Sequence, residues 1–261
     1  MQQIKLWKGR DIMKKTEVRL SENGRELYGL LITPEGEGKY PAVIFSHGYN
    51  GTGRDFERMG EYLAENGVAA FCLDFCGGSV NSRSSMATTD MTIFTEKEDL
   101  HRVVCYMKEN HRVDSDKIFL FGGSQGGLVS ALVTEEIKEE VRGLILLFPA
   151  MCIADNWNER FPNEEDIPEV QELLGMNLGK NFFLTLRGFD VYQHIGGYER
   201  SVQVIYGEND PIVSLDYMER LKTVYQDMKL DIFKGEGHGF SEEGNRRVAE
   251  MTLEFVRQKI A

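Results

Sequence analysis

The 261-residue sequence lacks any apolar run that approaches the roughly 20 residues needed to span a bilayer. Its first residues, MQQIKLWKGRDIMKKTEV, lack the apolar core of about 7 to 15 residues found in secretory signals. Basic side chains are in deficit, since 30 Lys and Arg face 42 Asp and Glu and leave a formal net charge of -12. Such an acidic field repels phosphate backbones and anionic lipids. We therefore expect a soluble cytoplasmic protein without nucleic acid or membrane partners.

Cysteine and proline are scarce, with four and six residues. Cys72 and Cys76 have no second pair and no suitably spaced histidine, so free thiols are expected rather than a zinc site. The composition, with 41% hydrophobic and 28% charged residues, excludes a disordered or collagen-like chain. The length suits one large α/β domain carrying an insertion.

The N-terminal region predicts an antiparallel edge. Two alternating runs in TEVRLSENGRELYGLLITP flank a turn at residues 21–24, where Asn23 and Gly24 tolerate positive φ. Pro34 closes the second run.

Six short apolar runs then alternate with amphipathic segments. The runs cover residues 42–46, 68–75, 117–122, 143–148, 202–207 and 230–234. Helical patterns cover residues 54–66, 95–110, 125–136, 215–227 and 241–259. Apolar strands separated by helices predict a mostly parallel sheet with helices on both faces.

The interval 150–200 breaks this alternation. It has no convincing buried strand but holds several aromatic residues amid acidic ones, and a structureless loop of that length is implausible in a compact domain. We expect short helices that form a cap across the end of the sheet, with residues 1–149 and 201–261 as the core.

The clearest chemical signal is GGSQG at residues 122–126. Ligands bind at the carboxyl ends of parallel strands, and this G-x-S-x-G pattern follows an apolar run and precedes a helical one. The glycines let the backbone turn sharply and expose the Ser124 hydroxyl, which becomes a nucleophile once a base takes its proton. The alternative is a glycine-rich turn whose serine only caps the helix.

A base is expected on a late strand-end loop. His238 in KGEGHGF fits, because the flanking glycines leave its imidazole uncluttered. The other candidates, His101, His111 and His194, lie in a helical pattern, a polar turn and the insertion, and are expected to be surface or structural residues.

An acid must hold the imidazole. Asp210 follows the run 202–207 and precedes a proline that fixes its turn, so it is the expected acid, with Glu208 as its rival. The resulting order of serine, acid and histidine is one known for such catalytic sets.

The loop HGYNG, residues 47–51, supplies the remaining part of the predicted site. Its glycines leave backbone amides exposed, and the amides of Tyr49 and Gln125 are expected to bind the oxyanion of a tetrahedral intermediate. His47 stands directly at the strand end, where we expect it to brace the loop rather than act as the base.

Four segments, HGYNG, GGSQGG, YGENDPIV and GEGHGF, resemble in this order the motifs of α/β-hydrolases, over nearly the whole chain after Thr16. Within that superfamily the sequence is most similar to small bacterial carboxylesterases of the feruloyl (cinnamoyl) esterase type, whose inserted cap opens with Pro-Ala, as in LLFPAMC here. The resemblance implies that Ser124 is the nucleophile, His238 the base and Asp210 the acid. It also implies the Tyr49 and Gln125 amides as oxyanion donors, and no metal or organic cofactor.

Two features depart from that esterase type. The second parallel strand continues as DFCGGSVNSRSS rather than with a Gly-His-Gly turn. Where hydroxycinnamate-specific members tend to offer a tyrosine hydroxyl, NFFLTL places Phe182 and Phe183, which cannot hydrogen-bond a phenol. The expected function is a serine carboxylesterase acting on small to medium apolar or aromatic acyl esters.

Two other functions stay open. One is a peptidase resembling the catalytic domain of the prolyl oligopeptidases, although those enzymes usually carry a large extra domain. The other is a binding protein that kept the fold and lost the chemistry. The sequence predicts neither the physiological ester nor the oligomeric state.

Overall fold

The computed structural model describes residues 13–22 and 24–261. The strands are β1 (Met13–Glu22), β2 (Arg25–Pro34), β3 (Tyr40–Ser46), β4 (Ala69–Asp74), β5 (Val113–Gly123), β6 (Gly143–Leu147), β7 (Val170–Leu173), β8 (Met176–Gly179), β9 (Val202–Gly207) and β10 (Met228–Phe233). The α-helices are α1 (Glu57–Glu65), α2 (Ile93–Glu109), α3 (Gln125–Glu136), α4 (Ile153–Arg160), α5 (Lys180–Leu184), α6 (Leu215–Val224) and α7 (Glu242–Ile260).

Eight strands form one sheet in the order β1-β2-β4-β3-β5-β6-β9-β10. The strands from β4 to β10 in that order pair in parallel, whereas β1 and β2 add an antiparallel edge. At the hairpin, Glu22 pairs with Arg25 and Gly24 has φ +77°, while the predicted turn residue Asn23 lies outside the described residues. The predicted mostly parallel sheet and its antiparallel edge are confirmed.

Helices cover both faces of this sheet, which is why its central strands are apolar throughout. In β3, Ala42 and Ile44 face the layer of α2, α3 and α6, whereas Val43 and Phe45 face the layer of α1 and α7. A strand buried on both sides cannot alternate apolar with polar residues, so the continuous apolar runs follow from this layering.

Most predicted helix boundaries agree with the structure to within a few residues. Helix α3 has the predicted bounds, and α2 begins two residues before the predicted start because Thr92 accepts a capping hydrogen bond from the Thr95 amide. Helix α6 ends three residues early, where Tyr225 adopts an extended backbone.

The segment between β6 and β9 contains an element that the sequence analysis missed. Besides α4, α5 and short 3₁₀ turns, it holds an antiparallel hairpin of β7 and β8. The expected short helices are present as α4 and α5, and the hairpin between them was not predicted. Each of these strands has four residues and β7 is partly exposed, so neither produces a readable apolar run. The division into a core and a cap at residues 150–200 stays a prediction.

No helix within the described ranges is long and apolar enough to cross a membrane. The four cysteines are free thiols, of which Cys72, Cys76 and Cys152 are buried and Cys105 is exposed. Across residues 13–22 and 24–261, no group of three or more His, Cys, Asp or Glu side chains is arranged to hold a metal ion.

Candidate active site

Ser124 occupies the sharp corner between β5 and α3. Its backbone has φ 52° and ψ -120°, a strained conformation for a residue with a side chain. Close packing requires both glycines of the G-x-S-x-G pattern. A Cβ on Gly122 would lie 2.2 Å from the Gly126 carbonyl oxygen, and a Cβ on Gly126 would lie 2.3 Å from the Ser46 carbonyl oxygen. The Ser124 side chain makes no capping hydrogen bond to α3. The corner therefore presents the hydroxyl to its surroundings.

His238 lies on the loop between β10 and α7 and contacts this hydroxyl. Its Nε2 is 2.8 Å from Ser124 Oγ, and its Nδ1 is 2.8 Å from Asp210 Oδ2. With Nδ1–H donating a hydrogen bond to the Asp210 carboxylate, the Nε2 lone pair is free to accept a hydrogen bond from the serine hydroxyl. Ser124, His238 and Asp210 thus form one continuous hydrogen-bonded chain.

Asp210 is held more firmly than its rival. Its carboxylate is fully buried, and its Oδ1 accepts hydrogen bonds from the amides of Ile212 (2.8 Å) and Val213 (3.0 Å). Glu208 is exposed and its carboxylate accepts instead from the Gly235 amide at 3.3 Å. The turn after β9 therefore directs Asp210 to the imidazole and Glu208 elsewhere.

The predicted oxyanion loop packs directly against Ser124. A Cβ on Gly48 would lie 3.0 Å from Ser124 Cβ, a tight contact that would push the loop and the serine apart by a few tenths of an ångström. Neither the Tyr49 amide nor the Gln125 amide has a hydrogen-bond acceptor among the described residues. Two free amide donors close to a serine hydroxyl match the arrangement that an oxyanion site requires.

His47 braces this loop, and both of its ring nitrogens are engaged by backbone groups rather than by Ser124. Its Nδ1 lies 2.8 Å from the Gly48 carbonyl oxygen, and its Nε2 accepts from the Phe75 amide at 3.0 Å. Burial lowers the pKa of His47, which keeps the ring neutral and Nδ1 a donor. Because a trans peptide points its N–H away from its C=O, fixing the Gly48 carbonyl also fixes the direction of the Tyr49 amide.

A buried carboxyl group, that of Glu96, holds the side chain of Gln125, whose backbone amide is the second predicted oxyanion donor. Glu96 on α2 is 1% exposed, and its Oε2 accepts a hydrogen bond of 2.9 Å from Gln125 Nε2. Burial, with a smaller contribution from the neighbouring Asp99, raises the pKa of Glu96 to about 8. Glu96 is therefore mostly protonated at neutral pH, and it holds the Gln125 side chain behind the serine corner.

Replacing Glu96 with glutamine is expected to stabilise the protein increasingly as the pH rises. The unfolded state has an ordinary glutamate pKa of about 4.3, so between that pH and about 8 the folded state retains a proton that the unfolded state has lost. The free energy of unfolding of the wild type therefore falls through this window, and Glu96→Gln, which cannot ionise, avoids that loss. We expect a gain of about 2 kcal/mol or more at pH 8 and little at pH 4.5, measured by urea denaturation.

Glu109→Gln, at an exposed position on the same helix, is the control and is expected to give no comparable gain in stability at pH 8. A Glu96→Gln difference that does not grow with pH would contradict the buried, protonated state of this carboxyl group.

A cavity of about 850 Å³ opens beside Ser124 and His238. Phe56, Phe148 and Phe240 line it from the elements of the large sheet and its connections. The segment between β6 and β9 contributes a further apolar wall, consisting of Ile153, Trp157, Leu173, Leu174, Leu178 and Phe182. Polar side chains of α4 lie along one side, namely Asn156, Glu159 and Arg160. The site therefore offers a large, mainly apolar volume next to the Ser124 hydroxyl.

The sequence-based expectation for NFFLTL holds for one of its two phenylalanines. Phe182 lines the cavity and has no hydrogen-bonding group to offer there. Phe183 does not line it but packs edge-on against Trp157 and Phe161, with ring centroids 4.7 and 5.3 Å apart. Phe183 therefore supports the wall from behind.

Comparison with known proteins identifies the family. The family model described as serine aminopeptidase, S33, matches residues 39–187, which is more than half of the chain. The chain belongs to this family. This S33 family member is a serine hydrolase with the α/β-hydrolase fold, and the resemblance drawn from its four motifs is confirmed.

Two solved structures and one curated protein show how far the likeness extends. Est1E from Butyrivibrio proteoclasticus, in a structure with ferulic acid bound, is 26% identical with a TM-score of 0.85, covering 93% of this chain and 99% of Est1E. Acetyl xylan esterase 1 from Thermoanaerobacterium sp. JW/SL YS485 is 17% identical with a TM-score of 0.70, covering 94% of this chain and 84% of that one. The uncharacterized peptidase YtmA of Bacillus subtilis is 19% identical over 244 residues, 91% of each chain.

The structure of this S33 family member brings together all five residues predicted for the site. His101 instead pairs with Glu136 and His194 stacks on Phe189, so neither contacts Ser124. One residue that the sequence analysis missed is Phe148, which has φ 36° and packs its ring 4.7 Å from that of His238. Its place at the carboxyl end of β6, on the same sheet edge as Ser124, was the available signal.

Proposed function

We propose that the protein is a serine carboxylesterase that hydrolyses small to medium apolar or aromatic acyl esters through an acyl-enzyme. The observation that carries this proposal is the continuous chain from Ser124 Oγ through His238 to the buried Asp210, at the edge of a largely apolar cavity. A neutral ester whose acyl group fills apolar volume needs no charged partner, in keeping with such walls.

In the first half of the reaction, Ser124 Oγ bonds to the ester carbonyl carbon while His238 Nε2 takes the hydroxyl proton. The carbonyl oxygen becomes an oxyanion that accepts from the Tyr49 and Gln125 amides. When the bond to the alkoxy oxygen breaks, the imidazolium returns its proton to the departing alcohol and the acyl group stays on Ser124.

In the second half, a water molecule attacks the acyl carbon and gives a proton to His238. Collapse of this intermediate breaks the bond to Ser124 Oγ, which recovers a proton from the imidazolium as the carboxylic acid leaves. Residues of the chain carry out every proton transfer, so the proposed steps need no metal or organic cofactor.

The acyl preference is proposed from the walls of the cavity. Trp157 and Phe182 favour an apolar or aromatic acyl group, and the structure of Est1E with ferulic acid supports an aromatic one. Because Phe182 offers no hydrogen bond, we propose that a phenolic hydroxyl adds nothing to recognition at this wall.

A substrate panel tests this preference. We expect hydrolysis of p-nitrophenyl acetate, butyrate and octanoate, and we expect methyl ferulate and methyl cinnamate to react with kcat/KM values within about threefold of each other. The two methyl esters are a matched pair that differs in ring substituents. A preference for ferulate on the order of 100-fold would contradict the proposed role of the Phe182 wall.

A peptidase is the second candidate, because the S33 family description and the name of the Bacillus subtilis relative both support it. The same hydrogen-bonded chain would serve amide hydrolysis, so aminoacyl p-nitroanilides belong in the same panel. Turnover of any of these anilides faster than every ester would replace the esterase proposal.

Labelling with a fluorophosphonate separates either hydrolase from an inactive binding protein. We expect the folded protein to take up one equivalent on Ser124, located by intact mass and peptide mapping, and the heat-denatured protein to take up none. Folded protein that remains unlabelled would favour the inactive alternative.

A further inference from the structure

The turn of the β7–β8 hairpin carries a leucine that local energetics disfavour. Leu174 has φ 47° and Gly175 has φ +80°, so both turn residues occupy the left-handed region, where asparagine and glycine are the preferred pair. The Leu174 side chain is 73% exposed and therefore adds little to the core. One residue thus combines backbone strain with an exposed apolar side chain, and strain of this kind concentrates at functional sites.

The loop after β3 clamps this turn in place. The Tyr49 hydroxyl lies within hydrogen-bond distance of the carbonyl oxygens of Leu173 (2.9 Å) and Met176 (3.2 Å). The Asn50 side-chain amide donates to the Leu174 carbonyl at 3.1 Å. Two neighbouring side chains therefore hold the turn by its carbonyls: Asn50 donates to Leu174, and the single Tyr49 hydroxyl hydrogen is shared between Leu173 and Met176.

The clamp is itself anchored. Asn50 Oδ1 accepts from the Val80 backbone amide at 3.1 Å, and the backbone N–H of Asn50 donates to the Gly78 carbonyl at 3.1 Å. The residue that supplies the proposed oxyanion amide, Tyr49, is thus also the residue whose hydroxyl fixes the hairpin. The position of the turn relative to Ser124 follows from this shared loop.

The clamped turn forms part of the cavity wall. Leu173, Leu174 and Leu178 line the same cavity as Ser124, whereas Val170, an apolar residue of the same hairpin that is 50% exposed, does not. The Leu174 side chain is exposed to water and also borders the cavity. A substrate chain that lies against it would bury apolar surface on both partners, which is favourable.

We propose that Leu174 is a specificity-determining residue that contacts the alkyl chain of medium-length acyl esters. The Tyr49 hydroxyl and the Asn50 side-chain amide are the positioning groups that hold Leu174 in place. This inference rests on the proposed esterase function. It predicts that the enzyme prefers octanoyl to acetyl esters, and that this preference depends on the hairpin turn.

Leu174→Asn is the first test. Asparagine tolerates the left-handed backbone, so the melting temperature is expected to stay the same or rise, while the ratio of kcat/KM for p-nitrophenyl octanoate to that for the acetate falls about tenfold. Val170→Asn, the same polar residue on the same hairpin away from the cavity, is expected to change this ratio less than twofold. An unchanged ratio in Leu174→Asn, or equal falls in both variants, would overturn the role of Leu174.

Tyr49→Phe tests the positioning groups, with Tyr40→Phe as the matched control, because the Tyr40 hydroxyl also donates to a backbone carbonyl, that of Glu35, at 2.9 Å. We expect Tyr49→Phe to raise KM for octanoate about three- to tenfold, with a smaller change in kcat, and to speed amide hydrogen exchange in residues 170–179. Asn50→Asp, which keeps the acceptor and removes the donor, is expected to act in the same direction. Tyr40→Phe is expected to do neither.

The outcomes separate this inference from the proposed function. A wild-type enzyme that hydrolyses no ester would refute the esterase proposal and the inference with it. An active wild type whose octanoate preference and hairpin exchange are both unaffected by Tyr49→Phe and Asn50→Asp would refute the inference alone.

Discussion

Ser124→Ala is expected to lower kcat for p-nitrophenyl butyrate by a factor on the order of 10⁶. The hydroxyl is the only atom group that the change removes, and it is the one that His238 Nε2 contacts at 2.8 Å. If nucleophile, base and acid act as a unit, the loss of one member costs nearly as much as the loss of all three. Steady-state hydrolysis followed at 405 nm, with protein free of wild-type contamination, measures the effect.

Ser130→Ala is the matched control for this change. Ser130 lies on α3, the helix that begins directly after Ser124; it is fully buried, and its hydroxyl has no hydrogen-bond partner in the described part of the chain. Removing that hydroxyl is expected to leave activity within about twofold and to preserve or raise stability. Turnover by Ser124→Ala at a rate near that of wild type would rule out the proposed nucleophile.

Asp210→Asn is expected to lower kcat by about 10⁴-fold. The amides of Ile212 and Val213 donate to one oxygen of the side chain, so in the variant the amide oxygen takes that place and the NH₂ group faces His238. Nδ1 must then accept, and Nε2 carries the proton. An imidazole in that tautomer cannot take the proton of Ser124.

Glu208→Gln tests the rival acid under the same assay. Because Glu208 is exposed and, within the described residues, accepts only from the Gly235 amide, we expect a change in kcat of less than about threefold. If the Glu208 variant were the more damaged of the two, the proposed acid would be the wrong residue. Circular dichroism of both variants establishes that each is folded.

The parallel sheet and the proximity of the predicted site residues could both be predicted from the sequence. The apolar runs were long enough to mark the parallel strands, and Ser124, Asp210 and His238 each follow one of these runs or its connecting turn. Carboxyl ends of parallel strands meet at one edge, so their proximity could be inferred without coordinates.

Two features could not be read in this way, for different physical reasons. The β7–β8 hairpin has short strands and a leucine at a left-handed turn position, so it lacks both the apolar run and the turn residues that predict a hairpin. Glu96 lies in EKEDLHRVV, a charged stretch typical of a solvated helix face. Its spacing of four residues from Leu100 and seven from Val103 places it on the buried face of α2. This periodicity indicated burial, but the charged residues around Glu96 favoured a solvated position.

None of the five residues proposed to break the ester bond comes from the segment between β6 and β9, although that segment builds a large part of the cavity wall. A large part of the proposed acyl-binding wall thus lies in a different stretch of the chain from the five proposed catalytic residues, although Phe56, Phe148 and Phe240 also line the cavity. We expect that a different segment of the same length between β6 and β9 would change which acyl groups are accepted and leave the five proposed catalytic residues in place. Changes confined to about fifty consecutive residues would therefore be enough to change substrate specificity on the same fold.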